Sequence, residues 1–288
     1  MDGEQTRAAI AAQPEWLRAL HVRLRLPPGR VVYTGCGTSF HAAQTGGEAV
    51  QALEAVLQPP EADLLVLVSH EGTTGLTLEA ARAFRGPRWL VTGSPDSPLA
   101  DLCGEVVVCT PELERSWCHT ASYTCAVAAL AALRGEDVSW LGGAVEAVLA
   151  AHEPSACVAS QTRYLVAGVG RDWPTAQEAV LKLREGAFVV AEAHHTEQLL
   201  HGHLAAVDET VRAFVLEGDG RAAERARDAV AALEALGCNT NLVPTRHPAL
   251  DIVPFQLLTV DLAAARGVDP DRIHRDHERW ARARAAYD

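Results

Sequence analysis

Basic charge is scarce in this chain of 288 residues. Its 25 lysines and arginines stand against 37 aspartates and glutamates, for a net charge of −12. With a pI near 5.4, that balance argues against nucleic acid or an anionic membrane surface as partner, since both are bound through basic patches. No apolar run approaches the roughly 20 residues that a spanning helix requires. None of the seven cysteines forms a C-x-x-C pair. An odd number without that pairing favours reduced, mostly buried thiols over a disulfide framework or a zinc site. The N-terminal stretch is amphipathic and carries acids early, unlike a secretory signal. These features together predict a soluble cytoplasmic protein. Lysine is scarcest of all: Lys182 is the only one.

What is present is apolar bulk. At 48% hydrophobic, the chain can fill one large or two modest cores. Short apolar runs read as strands at 31–34, 64–69, 89–92 and 106–109, then at 164–167, 213–216 and 241–243. Helix-period segments lie between them at 41–57, 77–84, 121–133, 175–190, 221–236 and 255–265. Strand–helix alternation of this kind predicts an α/β fold with parallel, doubly wound sheets. The first-half turn Gly35-Cys36-Gly37 with Ala43-Gln44 recurs as Gly168-Val169-Gly170 with Ala176-Gln177 at one constant offset. The repeat predicts two tandem domains, 1–150 and 151–265, joined by the stretch 142–161 and followed by a charged helix or strap, 266–288.

The first strand ends in T-G-C-G-T-S-F, which places Thr38 and Ser39 at a helix N-terminus. Unpaired backbone N–H groups and the positive end of the helix dipole make such a turn suited to an anion. A dinucleotide fingerprint would need a third glycine where Phe40 stands, and a P-loop would need Gly-Lys-Ser/Thr. Neither is present. The next strand ends in S-H-E-G-T-T, where Ser69, Thr73 and Thr74 cluster hydroxyls again. Ligands of open parallel sheets bind in the crevice at these strand ends.

Lys182 sits among 24 arginines, which suggests that its position needs a compact ammonium, able to lose its proton, that a guanidinium cannot imitate. Glu185 leaves the same helix face three residues on, and Glu178 precedes by four. A solvent-exposed helix pair would give the same spacing. Four histidines follow: His194, His195, His201 and His203. They match no standard zinc spacing, so one histidine acting as acid or base is the better reading.

This combination resembles the double sugar-isomerase-domain family, typified by the isomerase half of glucosamine-6-phosphate synthase. The resemblance covers nearly the whole chain. C-G-T-S is matched by residues 36–39, and Ser-x-Ser-Gly-x-Thr, with one departure, by residues 69–74. E-x-x-L-K-L-K-E is matched by E-A-V-L-K-L-R-E at 178–185, and A-E-A followed by H-G-P-L-A by residues 191–193 and 201–205. It implies that Ser39, Ser69 and Thr74 hold the sugar's anionic group, with Thr38 beside them as a substrate-binding residue. It implies further that Glu185 shuttles a proton between C1 and C2 through a cis-enediol, that Lys182 steadies the oxyanion, and that His201 opens the ring. In such relatives the histidine can come from a neighbouring subunit, which implies a homodimer. The chemistry needs neither cofactor nor metal.

Three departures qualify it. No glutamine-hydrolysing domain is expected ahead of residue 1, the family's late lysine is absent from I-H-R-D-H-E at 273–278, and Glu71 and His119 stand where small hydroxyls are usual. A carboxylate about 5 Å from a phosphate dianion would cost several kcal/mol at an effective dielectric near 20. Glu71 must therefore turn away, or be offset by His70 and His119, or face an anion other than phosphate. The leading expectation is an aldose–ketose or deaminating isomerase acting on a six-carbon sugar with a terminal anion, most simply a 6-phosphosugar. The alternatives are a sulfonated-sugar isomerase, a sugar–amine deglycase and a non-catalytic sugar-phosphate sensor.

Overall fold

The structure, a computed structural model, describes residues 3–154 and 163–287. It opens with α1 (Glu4–Ala19) and continues with β1 (Val31–Gly35), α2 (Thr38–Gly46), β2 (Ala49–Gln51), α3 (Ala52–Leu57), β3 (Leu64–Val68), α4 (Gly75–Ala83), β4 (Arg88–Thr92), β5 (Glu105–Val108), α5 (Ala121–Leu133) and α6 (Leu141–Ala150). The second half runs β6 (Arg163–Gly168), α7 (Trp173–Ala187), β7 (Val190–His195), α8 (Thr196–Leu200), β8 (Val211–Leu216), α9 (Arg221–Ala235), β9 (Asn239–Val243), α10 (Pro248–Asp251), α11 (Val253–Arg266) and α12 (Glu278–Arg284).

All the pairings are parallel. One sheet has the order β2-β1-β3-β4-β5 and the other β7-β6-β8-β9. The two orders coincide over four strands, with β1 and β6 equivalent. Parallel strands are covered on both faces, so they read as unbroken apolar runs; β3 is Leu-Leu-Val-Leu-Val with every residue buried. The turns after β1 and β6 share one close approach. A Cβ on Gly35 would lie 2.8 Å from the Ser39 carbonyl group, and one on Gly168 would lie 2.9 Å from the Asp172 carbonyl oxygen. Helix α2 therefore reaches the sheet through Gly35, without the third glycine of a dinucleotide turn.

A single apolar cluster spans the two sheets, joining Tyr33 and Val66 to Tyr164, Val166, Leu183 and Leu250. At its centre lies α5, buried at every residue. The apolar stretch Pro248–Arg266 is long enough to cross a membrane, but its most apolar window is 67% buried inside the protein.

Two expectations change. The segment 41–57 is not one helix: Gly46 and Gly47 end α2, and the edge strand β2 precedes α3. The stretch expected to link the halves contains α6, packed on α1; of the rest of it, residues 155–161 lie outside the described residues. Past α11, the tail turns back as a strap. Buried Asp271 accepts hydrogen bonds from the backbone of Gln5 (3.0 Å) and Thr6 (2.7 Å), and Asp269 accepts one from Gly3 (3.0 Å).

Candidate active site

A cavity of about 230 Å³ opens at the carboxyl ends of β1 and β3, where the chain crosses from one side of the sheet to the other. The turn after β1 contributes Thr38 and Ser39, and the turn after β3 contributes Ser69, His70, Glu71 and Thr74. Thr38 is the first residue of α2 and Thr74 caps α4 without using its hydroxyl on the helix. The cavity thus collects two helix N-termini and four small hydroxyls, a setting in which anions are stabilised. His119 and Glu185 complete the sequence-predicted residues that line it.

Glu185 comes from α7 in the second half, and its placement depends on residues behind it. Lys182 Nζ donates to Glu185 Oε2 (2.8 Å), to Thr38 Oγ1 (3.1 Å) and to the Cys118 carbonyl, with Glu178 Oε1 at 3.4 Å. Lys182 and Glu178 are both 0% exposed. Glu178 in turn accepts from Thr38 Oγ1 (3.2 Å) and from His41 Nδ1 (2.7 Å). Lysine was expected to face the substrate as an ammonium able to lose its proton. Instead it lies under the cavity lining with all three protons committed. Burial alone would drive off a proton, but Glu185 and Glu178 outweigh it and raise the pKa. Burial pushes the Glu185 carboxyl up, against the pull of Lys182, which suits a group that takes and returns a proton. Helix α7 comes this close because residue 186 is glycine: a Cβ there would sit 2.4 Å from Thr259 Cγ2 and 3.2 Å from Cys118 Sγ.

The part of the lining made by His70, His119 and Ser122 rests on Glu114, which sequence reasoning missed. This buried carboxylate accepts from Thr120 N (2.6 Å), Thr120 Oγ1 (2.9 Å) and Ser122 N (2.8 Å), capping α5. Burial would raise its pKa, but His119 and these hydrogen bonds outweigh that and hold it low. The Glu114 N–H donates to His70 Nε2 (2.9 Å), so the ring proton of His70 sits on Nδ1. Burial, against the pull of Glu114 and Glu71, keeps His70 neutral and lowers His119 to about 4. Neither histidine therefore offsets Glu71, contrary to one expectation. Glu71 lines the cavity and forms no ion pair among the described residues.

The tail supplies the rest. Ile273 and Arg275 line the cavity, and the Arg275 guanidinium lies 3.6 Å from the centroid of the Trp117 ring. Only the absence of a late lysine drew attention to this stretch in the sequence. His201 lies elsewhere. Its side chain is 70% exposed and hydrogen-bonded to Glu197 (2.7 Å) beyond β7, and it is not among the residues that line the cavity of its own chain. His194 contacts Glu192 and His203, and His195 stacks on Trp173. Among the described residues no group of three or more His, Cys, Asp or Glu is placed to hold a metal.

No family model matches the chain. It is 29% identical over 306 residues to the glutamine–fructose-6-phosphate aminotransferase (isomerizing) of Gloeobacter violaceus, covering 84% of this chain and 50% of that protein. The chain spans about half the length of the curated relatives it matches. Among solved structures, the glucosamine-6-phosphate deaminase of Thermotoga maritima superposes with a TM-score of 0.78 at 20% identity, covering 93% of this chain and 97% of that one. The tagatose-6-phosphate ketose/aldose isomerase of Escherichia coli does so with a TM-score of 0.77 at 17% identity, covering 94% and 95%. By sequence the chain is a relative of the glutamine–fructose-6-phosphate aminotransferases, and by fold it is of the phosphosugar-isomerase, or sugar-isomerase-domain, type.

Proposed function

We propose that the chain is an aldose–ketose isomerase, or a deaminating isomerase, for a six-carbon sugar with a terminal anion, a 6-phosphosugar in the first instance. The observation that carries this reading is the Glu185 carboxyl, raised in pKa by burial and held by Lys182 (2.8 Å), on the wall of a cavity that also gathers Ser39, Ser69 and Thr74. The names of its relatives and structural neighbours, sugar-phosphate enzymes throughout, support it.

In this reading the hydroxyls and the ends of α2 and α4 seat the anion and fix C1 and C2 beside Glu185. The carboxylate takes the proton α to the carbonyl, leaving a cis-enediol, and returns it to the neighbouring carbon. The charge that the oxygen gains meanwhile is steadied by the Lys182 ammonium, which lies beneath the site bonded to Glu185 (2.8 Å) and Thr38 (3.1 Å). The two sheets form tandem sugar-isomerase-type domains, 1–150 and 151–265, with 266–288 as strap. His201 of the partner subunit opens the ring in a homodimer, in keeping with its absence from the cavity lining of its own chain. Free cysteines at every described position fit a cytoplasmic setting.

Mass-spectrometric screening of hexose 6-phosphates and sulfonated hexoses in D₂O tests the reading. Deuterium at C1 or C2 of one of them is the expected result, and its absence from all would refute it. An unpaired Glu71 in the cavity also favours a second reading, a singly charged sulfonate as the anion. Glu71→Ser should then shift preference toward the phosphorylated sugar, whereas an unchanged preference would reject the sulfonate.

A further inference from the structure

We propose that Arg275, carried on the C-terminal strap, is the residue that reads the charge of the substrate, its guanidinium fork receiving the sugar's terminal oxyanion. The inference rests on the anionic-sugar reading given above. Few full positive charges are open to a ligand in this cavity. Lys182 has three protons, and they go to Glu185, Thr38 and the Cys118 carbonyl, with Glu178 close by. His70 accepts a backbone N–H through Nε2 (2.9 Å) and so cannot take a second proton without breaking that bond. His119 is held neutral by burial. Against these stand two carboxyl groups that line the cavity, Glu71 and Glu185. An anionic ligand entering here meets hydroxyls and helix ends, which donate hydrogen bonds but carry no full charge.

Arg275 is the lining residue that does. It forms no ion pair among the described residues. Its one side-chain partner is the face of Trp117, 3.6 Å from the ring centroid. Stacking occupies the flat face of a guanidinium and leaves its N–H donors free around the edge, the arrangement that grips an oxyanion through two parallel hydrogen bonds.

The surroundings hold that arginine in place. Trp117 donates its backbone N–H to the Asp271 carbonyl (3.1 Å), tying the wall to the strap. Just before Arg275 the backbone turns left-handed at Ile273 (φ 43°) and His274 (φ 59°). A β-branched residue rarely adopts that conformation, and it persists only where the surroundings over-determine it. Here His274 is sandwiched between Phe188 (3.7 Å) and Trp280 (4.1 Å), and Phe188 is itself left-handed (φ 53°) at the end of α7, three residues past Glu185. A strained kink, clamped by two aromatic rings, thus delivers one uncommitted cation to the cavity mouth. Phosphoryl and sulfonyl groups share the oxyanion chemistry it would recognise.

The test uses the full chain and three variants, Arg275→Ala, Arg275→Gln and Arg275→Lys, with fructose 6-phosphate, inorganic phosphate and fructose as probes in calorimetric titrations. Circular dichroism and thermal melts should match the wild type, since Arg275 is exposed. The alanine and glutamine variants should bind fructose 6-phosphate and phosphate about 10- to 100-fold more weakly, with a shallower salt dependence and unchanged affinity for fructose. The lysine variant should recover part of the loss, because it restores charge without the fork. Anion binding within twofold of wild type in the alanine variant overturns the assignment, as does an equal loss for fructose and its phosphate. If the wild type exchanges deuterium into a phosphosugar while that happens, only the arginine's role fails. If it neither exchanges nor binds any anionic sugar, the underlying reading fails as well.

Discussion

Replacing Lys182 by arginine preserves the charge and makes the chain free of lysine, so it isolates what the shape of the ammonium contributes. An exposed helix pair would tolerate the change with less than about 1 kcal/mol of stability lost. The structure predicts otherwise. The Nζ atom is enclosed, its donors reach three oxygens, and a fourth lies at 3.4 Å. A larger planar head in that space overpacks it, at about 1–3 kcal/mol. The Cys118 carbonyl, deprived of its donor, adds about 1–3 kcal/mol. The sum, about 2–6 kcal/mol, corresponds to a drop in Tm of about 4–24 °C for a chain of this size. Urea unfolding monitored by tryptophan fluorescence reads the stability, and deuterium exchange into the substrate reads the chemistry. Exchange should fall by at least about 10²-fold, because the same displacement moves Glu185 and Thr38. A variant within 1 kcal/mol of wild type and fully active would refute the argument from both ends.

Three further outcomes follow from the same geometry. Glu185→Gln should bind the sugar but lose solvent exchange by about 10² to 10⁴; because burial raises this carboxyl's pKa, the wild-type rate should fall on acidification along a limb above the ordinary carboxylate range, and a limb at or below that range would remove Glu185 as the base. His119 is held neutral down to about pH 4, so below about pH 6.5 the unfolded chain binds a proton that the folded chain refuses; the stability this provides is complete above pH 6.5 and lost as pH falls to 4, about 3 kcal/mol in all. His119→Asn should flatten that part of a urea-midpoint-versus-pH curve, and an unchanged slope would mean that the ring is not buried neutral. Mixing inactive Glu185→Gln and His201→Asn chains, unfolding and refolding them together, should restore about a quarter of the sites if each is completed by a partner subunit; no recovery would argue for a site made by one chain.

Much of the fold was legible because parallel strands leave an apolar signature, and β1, β3, β4, β6 and β8 were each found within two residues of their bounds. Strands β2 and β7 were not. The first has three residues behind a glycine pair, and the second reads Val-Ala-Glu-Ala-His-His, polar because it lies at a sheet edge. Local motifs pointed to Thr38, Ser39, Ser69 and Thr74, which line one cavity, since a turn's chemistry is written in a few adjacent residues. Lys182 stood out by its rarity, yet its burial could not be read: acids at i−4 and i+3 look the same on a wet helix face as in a dry one. Glu114, Trp117 and Arg275 were invisible for a different reason. Glu114 is bonded to Thr120 and Ser122 nearby but meets His70 44 residues back, and Trp117 and Arg275 meet between a loop before α5 and the end of the chain.

The enclosed ammonium has one more consequence. A carbonyl carbon is attacked by the lone pair of a neutral amine, and this chain has a single lysine side chain whose nitrogen keeps its proton between two carboxyl groups. Imine formation, one way a protein can seize an open-chain sugar, is therefore closed to the lysine beneath this cavity. A carbonyl compound held here can trade protons with the wall, but no lysine can capture it.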